Sequence, residues 1–261
     1  MTFLSKLEKN VSKKFLDKGY IISKVENIDS LTIILNLILK IIKKRVKNKR
    51  IDLNNIHKLL PVSELNEFRL GVINDINKNK ILRFHYFNLA RNLLYNLAGN
   101  ELMMQKNINL SIQFPNDKSS LLPIHSDVWS GDSAYEINLW VPLVNCYKTK
   151  SMYILEQKYN EGFLKKMKTS KIRSSDDIFK IVKKKIKWLD INYGECLIFN
   201  QGLPHGNVVN KEIETRWSMN CRFKSFFSPY GDKKIAEFFL PITTRAMTEF
   251  GMNFKYPFKN K

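Results

Sequence analysis

Two of the four histidines in this chain have the neighbours that a metal site requires. Asp127 follows His125 by two residues, and side chains two apart on an extended strand point to the same side. His205 arrives from a distant part of the sequence. Two imidazoles and one carboxylate on one face of a metal ion leave the opposite positions open to exchangeable ligands. The pattern therefore predicts a metal site with room for small molecules beside the metal.

A strand with one polar face begins eleven residues after His205. Between Arg216 and Phe223 the odd-numbered positions are apolar and the even-numbered positions are polar, which is the alternation of a half-buried strand. A polar strand face needs water or a lined cavity. At its start this face carries Arg216 and Ser218, a guanidinium fork and a hydroxyl that together suit a bound carboxylate.

Several stretches between residues 107 and 230 resemble the Fe(II)/2-oxoglutarate-dependent dioxygenases, in particular the phytanoyl-CoA-dioxygenase-like branch. More narrowly, they resemble the 2-oxoglutarate oxygenases of bacterial carbohydrate-biosynthesis clusters. The metal pattern with its downstream arginine is specific for the superfamily, and the strings Asp-Val-Trp-Ser-Gly-Asp and Thr-Arg-Trp-Ser narrow it to the carbohydrate group. The stretches lie at residues 121–132, 138–143, 150–154, 202–207 and 215–223.

The resemblance implies an enzyme that binds Fe(II), takes 2-oxoglutarate and O2 as cosubstrates, and hydroxylates or otherwise oxidises a sugar or sugar-derived metabolite. The substrate would be a small molecule such as a sugar or a nucleotide-linked sugar. A nucleic-acid-dealkylating oxygenase with the same metal site, and a non-catalytic cupin-like metal- or sugar-binding protein, remain as alternatives. The expected metal ligands are His125, Asp127 and His205, and the expected cosubstrate contacts are Arg216, Ser218, Trp140 and Gln113.

Five further residues have roles that the sequence leaves open or assigns to structure. Arg222 shares the polar face of the strand and is the rival of Arg216 for the cosubstrate carboxylate. Asp132 caps a Ser-Gly-Asp turn or touches substrate, and Lys150 contacts substrate or is a loop charge. His57 and His85 fall in helical stretches and are expected to be structural.

The net charge of +20 on 261 residues raises the question of an anionic partner. The lysines are scattered among asparagines and isoleucines without interleaved stacking aromatics, so we expect compositional bias rather than nucleic-acid binding. No apolar run is long enough to span a bilayer, and no signal-peptide pattern opens the sequence. Three scattered cysteines favour a reducing compartment. The expected location is the cytoplasm, with no membrane partner.

The pattern of secondary structure predicts an α+β fold. Apolar residues at helical spacing fill most of residues 1–106, and they predict helices near 3–16, 30–45, 63–78 and 80–98. Short alternating strands follow. The resemblance assigns those strands, residues 107–230, to a double-stranded β-helix (jelly-roll or cupin-like) core, and leaves 231–261 as a C-terminal extension. Residues 156–185 are polar and predicted to be a helical insertion. Its basic residues would suit a phosphorylated substrate at the mouth of the site: Lys165, Lys166, Lys168, Lys171 and Arg173.

Overall fold

Apolar residues at helical spacing place five α-helices in the first hundred residues. The computed structural model describes residues 3–169 and 174–257. One long stripe on the second helix, Leu31, Ile34, Ile38 and Ile42, is almost completely buried. That stripe packs against the third and fourth helices, and the third and fifth helices reach the sheet. The helices are α1 (Lys6–Lys18), α2 (Ile28–Val46), α3 (Leu65–Asn77), α4 (Leu82–Asn88) and α5 (Arg91–Ala98).

The strands form two antiparallel sheets, so the described residues have a mixed helical and antiparallel fold. The larger sheet has the strand order β1-β7-β4-β9-β2-β10, with β3 also paired to β9, and the smaller has the order β6-β5-β8. The strands are β1 (Tyr20–Lys24), β2 (Leu102–Gln105), β3 (Asn109–Gln113), β4 (Glu136–Pro142), β5 (Tyr153–Leu155), β6 (Ile186–Trp188), β7 (Glu195–Asn200), β8 (His205–Gly206), β9 (Arg216–Ser225) and β10 (Phe239–Pro241).

Strand β9 lies in the middle of the larger sheet and sets the orientation of its neighbours. Its odd-numbered apolar side chains, from Trp217 to Phe223, are almost completely buried on the helical side of the sheet. The indole nitrogen of Trp217 donates to the carbonyl of Leu53 at 2.8 Å, so the buried ring also satisfies its polar atom. Register aligns Ser111 of β3 and Pro142 of β4 with Ser218 of β9. The even-numbered face of β9 is consequently left free to line a cavity.

Two features of the helical region differ from the sequence-based prediction. A strand, β1, lies within it and pairs with β7, with Tyr20 opposite Phe199. Gly19 ends α1 in the left-handed region at φ +79° and turns the chain into that strand. The single helix predicted for residues 80–98 is broken at Ala90, whose φ of −150° is not helical, although neither glycine nor proline is present there.

The described residues of the polar stretch between β5 and β6 include two helices. They are α6 (Gln157–Thr169) and α7 (Ser175–Val182), while Lys171 and Arg173 lie outside the described residues. A second small core holds this insertion to the smaller sheet through Phe163, Ile178 and Val182. Phe163 also packs on Trp129, with ring centroids 6.1 Å apart. The insertion is therefore anchored next to the segment that carries Asp127.

The C-terminal residues return to the larger sheet. Strand β10 pairs with β2 at the edge of the sheet, and α8 (Ala246–Asn253) follows it. The amide of Asp232 donates to the carbonyl of Gly131 at 2.8 Å, which brings this segment onto the loop after Asp127. Among the described helices, none is both long and apolar enough to cross a membrane.

Candidate metal centre

His125, Asp127 and His205 meet because two chain segments pair at the edge of the smaller sheet. The amide of His125 donates to the carbonyl of His205 at 2.9 Å, and the reverse bond is 2.8 Å. The two imidazoles are therefore neighbours, with ring centroids 4.3 Å apart. Ser126 is extended, at φ −124° and ψ 133°, so Asp127 returns to the same side before a short 3-10 turn begins. One ligand atom from each of the three side chains lies within 4.8 Å of the others.

Hydrogen bonds to the backbone fix both imidazole rings. Nδ1 of His125 lies 2.8 Å from the carbonyl oxygen of Pro123, and Nδ1 of His205 lies 2.9 Å from that of Leu203. Each ring is thus held by a carbonyl two residues earlier in the chain. With Nδ1 acting as the donor, Nε2 of each ring carries the free lone pair that a metal ion needs.

The charge states of Asp127 and His205 suit metal binding. Burial works against the charged form of Asp127, but the hydrogen bond with His125 and the nearby positive charges outweigh it and lower the pKa of Asp127 to about 2. Burial, aided by the charge of His125, lowers the pKa of His205 to about 4. At neutral pH the site therefore presents a carboxylate and a neutral imidazole, which are the forms that ligate metals.

A cavity of about 360 Å³ extends from these three residues over the polar face of β9. Strands β3, β4, β7 and β9 of the larger sheet form one wall, and β8 of the smaller sheet forms another. Apolar side chains and neutral amides line most of it. The lining residues are Asn109, Leu110, Ser111, Leu122, His125, Asp127, Asn138, Trp140, Met152, Phe199, His205, Gly206, Asn207, Arg216, Ser218, Asn220 and Arg222.

Arg216 enters this cavity as a buried guanidinium without a counter-charge. One terminal nitrogen donates to Oγ of Ser111 at 2.7 Å and the other to the carbonyl of Ser151 at 3.3 Å. Its Nε and the hydroxyl of Ser218 are buried without a hydrogen-bond partner. Among the described residues no carboxylate pairs with Arg216, although it is only 4% exposed. A bound anion would neutralise this buried cation and accept hydrogen bonds from its unpaired donors.

Arg222, the predicted rival, has a different environment. One of its terminal nitrogens lies 3.2 Å from Oδ1 of Asp127 and 3.2 Å from Oδ2 of Asp132. Its Nε donates to the side-chain oxygen of Gln201. Arg222 therefore pairs with carboxylates of this chain beside the metal-binding cluster. Asp132, whose role the sequence left between turn and substrate, is one of those partners.

Of the remaining residues that the sequence singled out, one lines the cavity and the others lie outside its lining. Trp140 lines the cavity, whereas Gln113 lies outside its lining and donates to the carbonyl of Val208 at 2.7 Å. Lys150 is fully buried and donates to Glu214 at 2.6 Å, so it is a structural charge.

The two other histidines lie outside the cavity lining. His57 is held at 2.8 Å by Thr215, and His85 at 3.0 Å by Ser30. Both are structural, as expected.

The sequence-based prediction missed several cavity residues, of which Asn138 is the clearest. It lies on β4 between Ile137 and Leu139, is 1% exposed, and its side-chain oxygen has no hydrogen-bond partner. A lone amide inside an apolar strand is the signal that could have identified it, because an unsatisfied buried amide is costly unless a ligand or water completes it. Register places Asn138 opposite Arg222 of β9.

No protein-family model and no curated protein matches the sequence. Solved structures resemble the fold at low sequence identity. The non-heme monooxygenase ThoJ, in a nickel complex, is 12% identical with a TM-score of 0.52, and the match covers 90% of this chain and 84% of that chain. HygX from Streptomyces hygroscopicus is 10% identical with a TM-score of 0.51, over 87% of this chain and 89% of that chain.

A third structure of this kind contains both a metal and a keto acid. The epimerase SnoN, in complex with Fe3+, alpha-ketoglutarate and nogalamycin RO, is 12% identical with a TM-score of 0.51, and the match covers 86% of each chain. A second SnoN structure describes this enzyme as a non-heme, alpha-ketoglutarate-dependent epimerase from nogalamycin biosynthesis. At these identities the likeness establishes a shared fold. The chain thus has the fold found in non-heme, metal-dependent enzymes of this kind.

Proposed function

We propose that this protein is an Fe(II)- and 2-oxoglutarate-dependent oxygenase that uses O2 to oxidise a C–H bond of a small polar metabolite. The observation that carries the proposal is the juxtaposition, in one cavity, of a two-histidine, one-carboxylate cluster and a buried arginine without a counter-charge. Two nitrogens and one oxygen on one face are the donor set of non-haem Fe(II) enzymes with open coordination positions. The resemblance of residues 107–230 to that superfamily supports the same assignment.

The chain's own residues have distinct tasks in this proposal. His125, Asp127 and His205 hold the metal, and Arg216 with Ser218 receives the far carboxylate of 2-oxoglutarate. Trp140 lines the cosubstrate, and Gln113 is aligned in register with Arg216 on the neighbouring strand β3. The bound metal and 2-oxoglutarate together activate O2 for oxidation of the substrate.

The walls of the cavity must position the substrate and exclude water. Met152 and Phe199 supply apolar surface, and Asn109, Asn138 and Asn220 supply neutral hydrogen-bonding groups. Such a lining suits a hydroxylated molecule, which supports a sugar or nucleotide-linked sugar of a carbohydrate-biosynthesis pathway as the substrate. The reaction at that substrate is a hydroxylation or a related oxidation.

The finer architecture belongs to the same proposal. The two facing sheets would be the halves of a double-stranded β-helix in residues 107–230, with residues 1–106 and 231–261 packed on it. Support comes from the position of the cavity between the larger sheet and β8. The cytoplasm is the proposed location, and the support for it is three buried cysteines without disulfides.

The test measures metal binding and cosubstrate turnover separately. Under anaerobic conditions the wild-type protein should bind one Fe(II) per chain, and after O2 is admitted it should convert 2-oxoglutarate to succinate. His125→Ala, Asp127→Ala and His205→Ala should each abolish tight metal binding. His57→Ala is the matched control, because His57 contacts Thr215 outside the cavity lining, and it should retain one Fe(II).

Three outcomes would contradict the proposal. Full metal binding in a variant of the cluster would remove that residue from the ligand set. Metal binding without any succinate, in the presence of a panel of sugars and sugar nucleotides, would favour a non-catalytic binding protein. Salt-dependent binding of DNA with stimulation of succinate formation would favour the nucleic-acid-dealkylating class instead.

A further inference from the structure

Arg222 is connected to the metal-binding cluster more closely than a cosubstrate-binding arginine requires. Its terminal nitrogen bridges Oδ1 of Asp127 and Oδ2 of Asp132, both at 3.2 Å. Oδ1 of Asp127 also lies 3.6 Å from Nε2 of His125, which identifies it as the oxygen on the side of the histidines. The guanidinium therefore acts on the carboxylate oxygen that would face a metal ion.

Gln201 fixes both partners of this contact. Its backbone carbonyl accepts from the amide of Asp127 at 3.1 Å and from the hydroxyl of Ser126 at 2.9 Å. Its side-chain oxygen accepts from Nε of Arg222, and its side-chain nitrogen donates to Glu136 at 2.8 Å. One fully buried residue thus sets the backbone of Asp127 and the orientation of the guanidinium at the same time.

The C-terminal segment completes the enclosure of Arg222. The ring centroid of Phe238 lies 5.6 Å from the guanidinium carbon. The hydroxyl of Ser133 donates to the carbonyl of Pro229 at 2.7 Å, so the same segment also holds the loop that carries Asp132. Hydrogen bonds, ion pairs and an aromatic ring therefore hold the planar guanidinium of Arg222 in one orientation.

We infer that Arg222 is a positioning residue, paired with Asp132, that holds the Asp127 carboxylate in the orientation for metal binding. The inference rests on the proposed function, since it assigns a role toward the same metal. Oδ2 of Asp127 is buried without a hydrogen-bond partner, so the ion pair at Oδ1 is the side-chain contact that resists rotation of the carboxylate toward another partner. Removing a group that orients a metal ligand typically changes metal affinity about 10–100-fold.

The experiment measures binding of Co(II) to the metal-free protein by calorimetry and records the Co(II) absorption spectrum. Arg222→Gln should weaken Co(II) binding about 10–100-fold and change the spectrum, because the carboxylate loses its fixed orientation. Asp132→Asn keeps the shape of the partner but removes its charge, and should weaken binding less. In Arg222→Lys the ammonium group can pair with one carboxylate but cannot make the several contacts of a guanidinium. This variant should therefore bind Co(II) more tightly than Arg222→Gln and more weakly than the wild type.

The matched control is Arg83→Gln. Arg83 is a half-buried arginine that donates to the carbonyl of Met104 and lies outside the cavity lining, and its variant should bind Co(II) like the wild type. Circular dichroism and a melting curve establish that each variant is folded. If Arg222→Gln does not fold, the comparison of Asp132→Asn and Arg222→Lys with the wild type decides the same question.

Each result has one interpretation. Wild-type Co(II) affinity and spectrum in folded Arg222→Gln would overturn the inference. If that variant also lost affinity for 2-oxoglutarate in the Co(II)-loaded protein, Arg222 would be a cosubstrate-binding residue. Absence of Co(II) binding in the wild-type protein would instead refute the proposed function, so the two failures are distinguishable.

Discussion

Two arginines six residues apart on β9 face the same cavity and have opposite surroundings. Arg222 is paired with Asp127 and Asp132, whereas Arg216 is bonded only to a hydroxyl and a carbonyl. Leaving a buried guanidinium without a counter-ion is unfavourable, so a site that retains one is prepared for an anion from outside. The contrast explains how the same residue type on one strand face can serve a ligand at one position and the protein at the other.

We expect Arg216→Gln to weaken 2-oxoglutarate binding by about 2–5 kcal/mol, which is at least roughly 30-fold in the dissociation constant. The buried carboxylate would lose its charge-assisted hydrogen bonds, while the cluster at His125 would be untouched. Calorimetric titration of the Co(II)-loaded protein measures the loss, and Co(II) affinity should stay within about twofold of the wild type. Undiminished 2-oxoglutarate affinity in this variant would show that another residue receives the carboxylate.

Lys224 gives the protein a pH dependence at alkaline pH. Its side chain is fully buried and donates to the carbonyls of Ser228 and Pro229 at 3.0 and 2.7 Å. Burial lowers the pKa of Lys224 to about 8, against the opposing effect of Glu136, whereas the unfolded chain keeps its proton up to about 10.5. Between pH 8 and 10.5 the unfolded state binds more protons, so the free energy of unfolding attributable to this group rises with pH.

Urea unfolding at a series of pH values tests this expectation. The difference in unfolding free energy between the wild type and Lys224→Met should change in favour of the wild type as pH rises from 8 to 10. A difference that stays constant over this window would mean that Lys224 has the same pKa in both states.

The sequence predicted most of the helices and strands, but not the pairing of β1 with β7 at the edge of the larger sheet. Periodicity located the helices from α1 to α3, the insertion and the alternating face of β9, because each pattern is local. Strand β1 was missed because it has five residues and its partner, β7, lies far along the chain. The break at Ala90 was also missed, since no helix-breaking residue marks it in the sequence.

The residues of the candidate site also divide into those that a local sequence pattern predicts and those that only the fold brings together. The spacing of His125 and Asp127 and the face shared by Arg216 and Ser218 are local patterns, so they could be predicted. The partners of Arg222 come from the loop at Asp132 and from Gln201, and only the folded chain brings them together. Asn138 of β4, which lines the cavity, was missed although its amide inside an apolar strand is a local signal.

The insertion, residues 156–185, is expected to stabilise the site without contacting a bound substrate or cosubstrate. Among the described residues of 156–185, none lines the cavity, and Lys165, Lys166 and Lys168 are exposed. The triple charge reversal Lys165→Glu, Lys166→Glu, Lys168→Glu should therefore leave the KM of the substrate within about twofold at physiological salt, where exposed charges are screened. A KM increase of tenfold or more would restore the expectation that these lysines bind a phosphorylated substrate.

The three cysteine thiols are protected from reaction with thiol-specific reagents in the folded protein. All are buried, and burial is the largest cause that raises the pKa of Cys146 to about 12, of Cys196 to about 11 and of Cys221 to about 12. Because the thiolate is the reactive form, a thiol-specific probe should label the native protein hardly at all within minutes. In denaturant it should label three thiols, and rapid labelling of the native chain would reveal local opening around one of these strands.

The two edges of the larger sheet come from opposite ends of the chain, and this has a consequence for biosynthesis. Tyr20 of β1 pairs with Phe199 of β7, so the first strand to leave the ribosome has no partner until residue 199 of the 261 has been made. At about 5–20 residues per second, that interval is roughly 10–35 s. During it, the unpaired strand is open to other chains. We therefore expect expression yield to depend on translation speed, temperature and chaperone supply.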